Sequence, residues 1–386
     1  MNELERHELR HTDGRPLWVY GELRGGLAAD EPAGDAAPGL HQRYDALTDT
    51  WLAVSSARNT RPNSALAART AARPACPLCP GGPEVPFSYE AAVFGNRWPS
   101  FRHDPPPVPD DPRFAESYGA CEVVLYTEAH EGSLGTLTPD DVARVVAIWR
   151  DRSAALWADP RHALVEVFEN RGEAVGATIS HPHGQVYAFD RLPPHIRGRV
   201  AALARHREAT GECLTCQVVA VDAATPDRVV TDARAFTVSV PFAPRWPYEV
   251  HIRARRHGAG RLTDLNPGEL AELAGLLREI VQRYDGLFDV ELPYMMTVME
   301  APADAPDWHL AVEFLPPHRS AQLTKIRASV ETSTGLFIND TLPEASARAL
   351  AAQTVSRRTE PAVPLIRHRG AAEHPEPTHT FGGEFR

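Results

Sequence analysis

Ser180-His181-Pro182-His183-Gly184-Gln185-Val186-Tyr187 follows closely on Val167-Phe168-Glu169-Asn170-Arg171-Gly172, and the reading of the whole chain turns on this stretch. Two histidines at i and i+2 on a strand face the same way. Taken alone they could be a polar pair on a solvated face. Pro182 restricts the backbone before His183 and Gly184 relieves it afterwards. Gln185, two residues on again, can point to the same side and donate a hydrogen bond from its amide. That combination suits a nucleophilic imidazole beside a phosphoryl oxygen.

Outward from this stretch the chain shows one pattern twice. The first copy runs Cys76-x-x-Cys79, Asn96-Arg97-Trp98-Pro99, a strand from Glu122 that ends near His130, a helix, a strand at Ala163–Phe168, then His181-Pro182-His183. The second runs Cys213-x-x-Cys216, Arg245-Trp246-Pro247, a strand from Glu249 that ends near His257, a helix, a strand at Tyr294–Val298, then Trp308-His309-Leu310-Ala311. Thr138 with Pro139 and Asp141 predicts the start of the first helix, and Asn266 with Pro267 and Glu269 predicts a capping box at the second. Val142, Val145, Val146, Trp149 and Leu156 supply one apolar stripe; Leu270, Leu273, Leu276, Leu277 and Ile280 supply the other. Eight residues separate Glu122 from His130 and Glu249 from His257, and 51 and 52 residues carry each histidine to His181 and His309. Four markers in one order make duplication the better reading. Each half is then an α+β unit with an antiparallel sheet packed on a long helix.

Composition narrows the possible functions. With 386 residues there is room for two ordinary domains or one duplicated unit. A net charge of −11 argues against non-specific nucleic-acid binding. No run approaches the length of a membrane span. Met1 to Arg10 is charged and lacks the apolar segment of a secretory signal, so a cytoplasmic location is expected. There the two C-x-x-C pairs point to metal or redox chemistry rather than disulfides, and no thioredoxin-like βαβ context surrounds them. Lys325 is the only lysine.

The strings V-F-E-N-R-G and H-P-H-G-Q-V-Y closely resemble galactose-1-phosphate uridylyltransferases, a branch of the histidine-triad superfamily, and the resemblance runs from about Gln42 to Glu344. It implies an α+β, duplicated histidine-triad-like fold whose two antiparallel-sheet/helix halves form one pseudo-symmetric unit. The segments expected are a hairpin and linker (1–40), a catalytic half (41–195), a non-catalytic half with a substrate loop (196–345), and a C-terminal helix with a loose tail (346–386). The reaction implied is exchange of UMP between UDP-glucose and a hexose 1-phosphate, galactose 1-phosphate first, by ping-pong through a uridylyl group on His183.

Site roles follow from the same resemblance. Gln185 steadies the phosphoryl oxygens, with Asn170 near the same phosphates. Arg58 and Arg61 hold the nucleotide phosphates, Asn96 falls on the uridine-site asparagine, and Thr178 joins the substrate contacts. Arg97 and Trp98 depart from the commoner Asp-Phe. Lys325 would contact sugar phosphate and Glu331 hexose hydroxyls, from a loop that completes a partner subunit's site in a homodimer. Cys76, Cys79, His130 and His181 fall on the positions of a structural zinc tetrad. By internal symmetry Cys213, Cys216, His257 and His309 make a second. His183 corresponds to Ala311 and Gln185 to Glu313, so the second half keeps the scaffold without the reaction. Glu300, Ala311 and Glu313 stand where some relatives carry a further metal on histidines, and no such site is expected. Two alternatives stay open: an ADP-sugar phosphorylase on the same fold, and a non-catalytic nucleotide-binding protein.

Overall fold

The computed structural model describes residues 3–24, 39–60 and 76–369; the linker, Arg61 and the tail from Gly370 lie outside them. The strands are β1 (Glu3–Arg10), β2 (Pro16–Tyr20), β3 (Leu40–Asp45), β4 (Thr50–Ser55), β5 (Ala91–Gly95), β6 (Phe114–Ala115) and β7 (Gly119–Leu125). They continue as β8 (Leu164–Arg171), β9 (His183–Phe189), β10 (Phe236–Ser239), β11 (Val250–Ala254), β12 (Tyr294–Met299), β13 (Ala311–Leu315) and β14 (Leu365–Arg369). Eleven of them form one sheet in the order β10-β11-β13-β12-β8-β9-β7-β5-β2-β1-β14, and β4-β3-β6 form a small second sheet.

The first eight strands of that order are symmetric about the β12–β8 junction. β8 mirrors β12, β9 mirrors β13, β7 mirrors β11 and β5 mirrors β10. The junction pairs Phe168 with Thr297 in an antiparallel ladder. Phe168 lies opposite Gln185 and Thr297 opposite Glu313, so a local two-fold axis passes beside the Phe168–Thr297 pair. The expected duplicated α+β unit is this symmetric sheet.

One element of the repeat is displaced by a residue. His183 pairs with Leu125 and Ala311 with Arg253, so Glu122, opposite Val186, matches Val250, opposite Phe314. Glu249 is therefore not the mate of Glu122. The connection from β11 to His257 is one residue shorter than that from β7 to His130, and this restores the equal spacing. A one-residue slip changes the face of a strand, and the two glutamates do different things. Glu122 takes a buried fork of hydrogen bonds from Arg152, at 2.8 and 2.9 Å. Glu249 accepts from the backbone of Arg245 and Trp246 and from His251.

The long helices Pro139–Trp157 and Pro267–Leu287 pack against each other on one side of the sheet. Their starts are as expected: Thr138 accepts from the Asp141 amide, and Asn266 with Glu269 forms the reciprocal box. The apolar positions read from the sequence are buried in both. On β9, Val186 and Ala188 face these helices and join the main core, which leaves His183, Gln185 and Tyr187 on the opposite face.

The peripheral segments extend the sheet. β2 adds to β5, β1 to β2, and β14 runs parallel to β1. The C-terminal helix spans Pro343–Ala351, across the expected boundary at 345. No helix among the described residues is long and apolar enough to cross a membrane.

Candidate functional site

His183 opens β9, while His181 lies in the bend before it. The two rings consequently part ways rather than sharing a strand face. His183 Nδ1 is 2.7 Å from the His181 carbonyl oxygen. An imidazole nitrogen beside a carbonyl carries the proton and donates, so Nε2 of the neutral ring holds the lone pair. The His181 ring turns into the Cys76–Cys79 loop.

Gly184 is required by space rather than by backbone freedom. A Cβ there would sit 2.2 Å from the Tyr126 hydroxyl and 3.1 Å from the Phe168 carbonyl oxygen. Tyr126 is 1% exposed and cannot swing away. The ring that supports the sheet from below thus fixes the height of the strand on which His183 stands.

Arg58, on the short helix Ser56–Thr60 after β4, donates to Ser100 Oγ at 2.8 Å and hydrogen-bonds Tyr187. Tyr187 also meets Cys121, which lies directly opposite it in the ladder. Burial, opposed by weaker polar contacts, pushes the Cys121 thiol up to about 11. Sequence reasoning missed Tyr187 and Cys121 as neighbours of Arg58, although their in-register positions follow once β7 and β9 are paired. Asn96 Oδ1 accepts from the Trp98 amide at 2.9 Å, which shapes the turn. Asn96, Arg97, Trp98 and Phe101 help line a cavity of about 990 Å³. Asn170 pairs with Met295 on β12, two positions along from Phe168 and on the same face as Gln185. Thr178 Oγ1 is buried without a hydrogen-bond partner among the described residues.

Cys76, Cys79, His130 and His181 bring their ligand atoms within 4.8 Å of one another, and so do Cys213, Cys216, His257 and His309. Tetrahedral zinc, with bonds of about 2.3 Å to sulfur and 2.05 Å to nitrogen, would hold S and N donors about 3.6 Å apart. In the first cluster Cys79 Sγ lies 3.4 Å from His130 Nδ1 and 3.7 Å from His181 Nδ1. In the second, Cys216 Sγ lies 3.6 Å from His257 Nδ1 and 3.4 Å from His309 Nε2. The far nitrogen of each buried histidine meets a carbonyl: His181 Nε2 at 2.8 Å from Thr127, His309 Nδ1 at 2.8 Å from Ala254. That is how ligating imidazoles are oriented. Burial pushes His181 down to about 4 and lowers His309, which keeps both rings neutral. Both clusters fit a Cys2His2 metal.

Lys325 and Glu331 are brought to each other rather than to His183. Lys325 Nζ donates to Glu331 at 2.7 Å and to the Ile338 carbonyl, beside the Trp246 ring. Their loop is tied to the Pro244 and Trp246 carbonyls through Asn339. That segment leads into β11, four strand spacings from β9, about 19 Å.

The second half closes the face that corresponds to His183. Ala311 is 2% exposed and clusters with Ile196, Leu203, Met299 and Leu164 under the helix Pro194–Thr210. Glu313 pairs with Arg199 at 2.6 Å and Arg245 at 2.8 Å. Burial would raise its pKa, but His251, Arg199 and Arg245 outweigh burial and hold it well below the usual carboxylate range. Glu300 accepts from Ser153, Trp157 and the Leu262 amide.

Residues 33–193 match the family Galactose-1-phosphate uridyl transferase, N-terminal domain, and residues 199–357 match its C-terminal domain. A galactose-1-phosphate uridylyltransferase of Thermotoga maritima is 40% identical over 319 residues, covering 81% of this chain and 98% of the relative. A solved structure described as a uridylyltransferase superposes with a TM-score of 0.72 at 27% identity, over 81% of this chain and 98% of that one. An ADP-glucose phosphorylase from Arabidopsis thaliana with bound ADP-glucose gives 0.62 at 23% identity, over 81% and 99%. This second likeness is one of fold.

Proposed function

The chain belongs to the galactose-1-phosphate uridylyltransferase family, and from that premise we propose how its residues carry the family's reaction. It exchanges UMP between UDP-glucose and a hexose 1-phosphate, with galactose 1-phosphate as the acceptor. His183 Nε2 attacks the α-phosphorus, and the bond from that phosphorus to the bridging oxygen breaks. Glucose 1-phosphate leaves with the electron pair, and the uridylyl group stays on the ring. A phosphate oxygen of the second sugar then displaces the histidine. No net proton moves in either step, so the imidazole must be neutral and aimed, and the rest is positioning and charge neutralisation.

The observation that carries this reading is the 2.7 Å contact of His183 Nδ1 with the His181 carbonyl, which commits the lone pair to Nε2. Gln185 and Asn170, on the same sheet face, meet the phosphoryl oxygens. Arg58, with Arg61, neutralises the nucleotide phosphates. Asn96 serves the uridine and Thr178 adds a substrate contact. Zinc occupies both Cys2His2 clusters. With four protein ligands each, the ions brace structure and take no part in the chemical step. The first ties the Cys76–Cys79 loop to the bend that aims His183.

The working enzyme is a cytoplasmic homodimer in which Lys325 and Glu331 serve the partner's sugar site. Two observations support this: the separation of their loop from β9, and six exposed apolar side chains on that loop, Leu323, Ile326, Val330, Leu336, Ile338 and Leu342.

The decisive experiment is exchange of labelled hexose 1-phosphates into UDP-glucose by wild type and His183→Gly. Exchange by the glycine variant at the wild-type rate would refute the nucleophile. Incubation with UDP-glucose and ADP-glucose in parallel should give acid-labile nucleotidyl-protein with the first. Labelling from ADP-glucose alone would favour the phosphorylase reading.

A further inference from the structure

A third group of ligand-type side chains lies away from both Cys–His clusters. Asp159 and His162 sit in the turn between the helix Pro139–Trp157 and β8; His103 comes from the loop between β5 and β6. Each contributes one donor atom, and the three atoms lie within 4.8 Å of one another.

His162 is 2% exposed. Its Nδ1 is 2.7 Å from the Leu156 carbonyl oxygen and so carries the proton. Nε2 is then a bare lone pair, buried and without a hydrogen-bond partner among the described residues. A lone pair in that state is costly unless something electrophilic meets it.

The Tyr118 hydroxyl donates to Asp159 and lies 3.2 Å from His103 Nδ1, which is itself 4.0 Å from the same Asp159 oxygen, so His103 turns its Nδ1 side toward the carboxylate. Asp159 is ionised: hydrogen bonds from Arg161 and Tyr118 hold it well below the usual carboxylate range. One buried imidazole fixed by a carbonyl on its far nitrogen, a second imidazole at an exposed position and one carboxylate make a metal-binding triad.

We propose that His103, Asp159 and His162 bind a divalent transition-metal ion, separately from the two Cys2His2 clusters. Imidazole nitrogen with carboxylate suits Zn²⁺, Ni²⁺ or Fe²⁺ rather than Mg²⁺ or Ca²⁺. Three protein donors leave the ion able to take an outside ligand. His103 also lines the 990 Å³ cavity that Asn96 and Trp98 border, so an outside ligand would enter from that side. Arg161 competes for the same carboxylate through its backbone amide at 3.0 Å and its side chain at 3.1 and 2.9 Å, but that side chain is 64% exposed and exchanges its two contacts for water at small cost.

The test is calorimetric titration of Ni²⁺ into the purified protein with both cysteine clusters filled with zinc, with released zinc measured in parallel. One equivalent per chain should bind without zinc release. His103→Ala, at an exposed position that leaves the fold intact, should abolish uptake. Arg161→Gln should tighten it, which a merely structural triad would not show. No saturable uptake, uptake matched by zinc release, or uptake unchanged in both His103→Ala and His162→Leu overturns the site.

Discussion

Gly184→Ala tests whether the space beneath the catalytic strand sets the position of His183. The added methyl would lie 2.2 Å from the Tyr126 hydroxyl, against about 3.3 Å for a normal carbon–oxygen contact. Strand or ring must therefore give by about 1 Å. The ring is 1% exposed and packs edge-on to Trp149, with centroids 6.0 Å apart, so β9 is the softer partner. Overpacking of this kind costs about 1–3 kcal/mol of stability. A displacement near 1 Å of a reacting group costs about 100-fold in rate. The expectation is a folded variant with a lower melting temperature and a kcat reduced about 100-fold. Tyr126→Phe supplies the control. Its hydroxyl approaches Glu169 and Trp149 without a well-formed hydrogen bond among the described residues, so removing it alone should cost less than the collision. In that background the ring carbon, 3.1 Å from the new methyl, still crowds but no longer collides. Gly184→Ala should then recover at least tenfold in kcat. An alanine variant with unaltered melting and turnover, or a double variant no better than the single, refutes the argument.

Both cysteine clusters should carry zinc, two ions per chain by elemental analysis, with the four thiols resisting alkylation until a chelator is added; one zinc with Cys213 and Cys216 freely alkylated would remove the second ion. Glu122→Gln should lower stability by about 3–5 kcal/mol in denaturant titration, because it strips the charge partner from Arg152 in a buried pair; a loss under 1 kcal/mol would show that water reaches the pair. Glu166 lies on the β8 face shared with Asn170, where burial and then Glu313 push its pKa from 4.5 to about 7. The folded state holds that proton more tightly, so the stabilisation is complete below pH 4.5 and is lost as pH rises through 7. Glu166→Gln should flatten the fall in stability between pH 4.5 and 8 by about 1–3 kcal/mol, the range allowing for water at a partly exposed carboxylate; identical profiles would disprove the shift. Mixing inactive His183→Gly with inactive Glu331→Gln should restore turnover through mixed dimers, whereas a mixture as dead as its parts would mean each chain completes its own site.

Legibility in the sequence followed the range of the interaction. Helix starts are local, and Thr138 and Asn266 announced theirs. The first cluster was legible through the resemblance to the family's ligand positions, and the second through the order of Cys and His markers, since a repeat that folds twice alike brings the same markers together twice. Register was harder. The spacing from Glu122 and from Glu249 agreed by coincidence of loop length, and only the ladder shows Val250 in the place of Glu122. Residues whose partners come from unrelated segments left no trace. Nothing in the string H-P-H-G-Q says that its glycine faces a tyrosine hydroxyl, and Lys325 gives no sign of its bond to Glu331. His103 and His162 belong to no spacing pattern and meet only because a turn and a loop converge.

The symmetry of the sheet makes its chemical asymmetry informative. Two strands in equivalent positions, β9 and β13, begin with His183 and Ala311, and what covers each decides what it can do. Over β13 the helix Pro194–Thr210 lays Ile196 and Leu203 against Ala311 and sends Arg199 to Glu313. A phosphate entering there would meet a carboxylate where Gln185 stands in the other half, and would have to break the Arg199 and Arg245 ion pairs to gain any cation. Giving up those pairs would leave the buried Glu313 carboxylate uncompensated, which costs several kcal/mol in all. Over β9 the described residues leave His183 partly exposed, and Arg58, on the short helix after β4, reaches Tyr187 on the same face of that strand. The second half thus contributes the other side of the dyad and a second Cys2His2 cluster, and the face that it closes around Ala311 stays partly open at His183 in the first half.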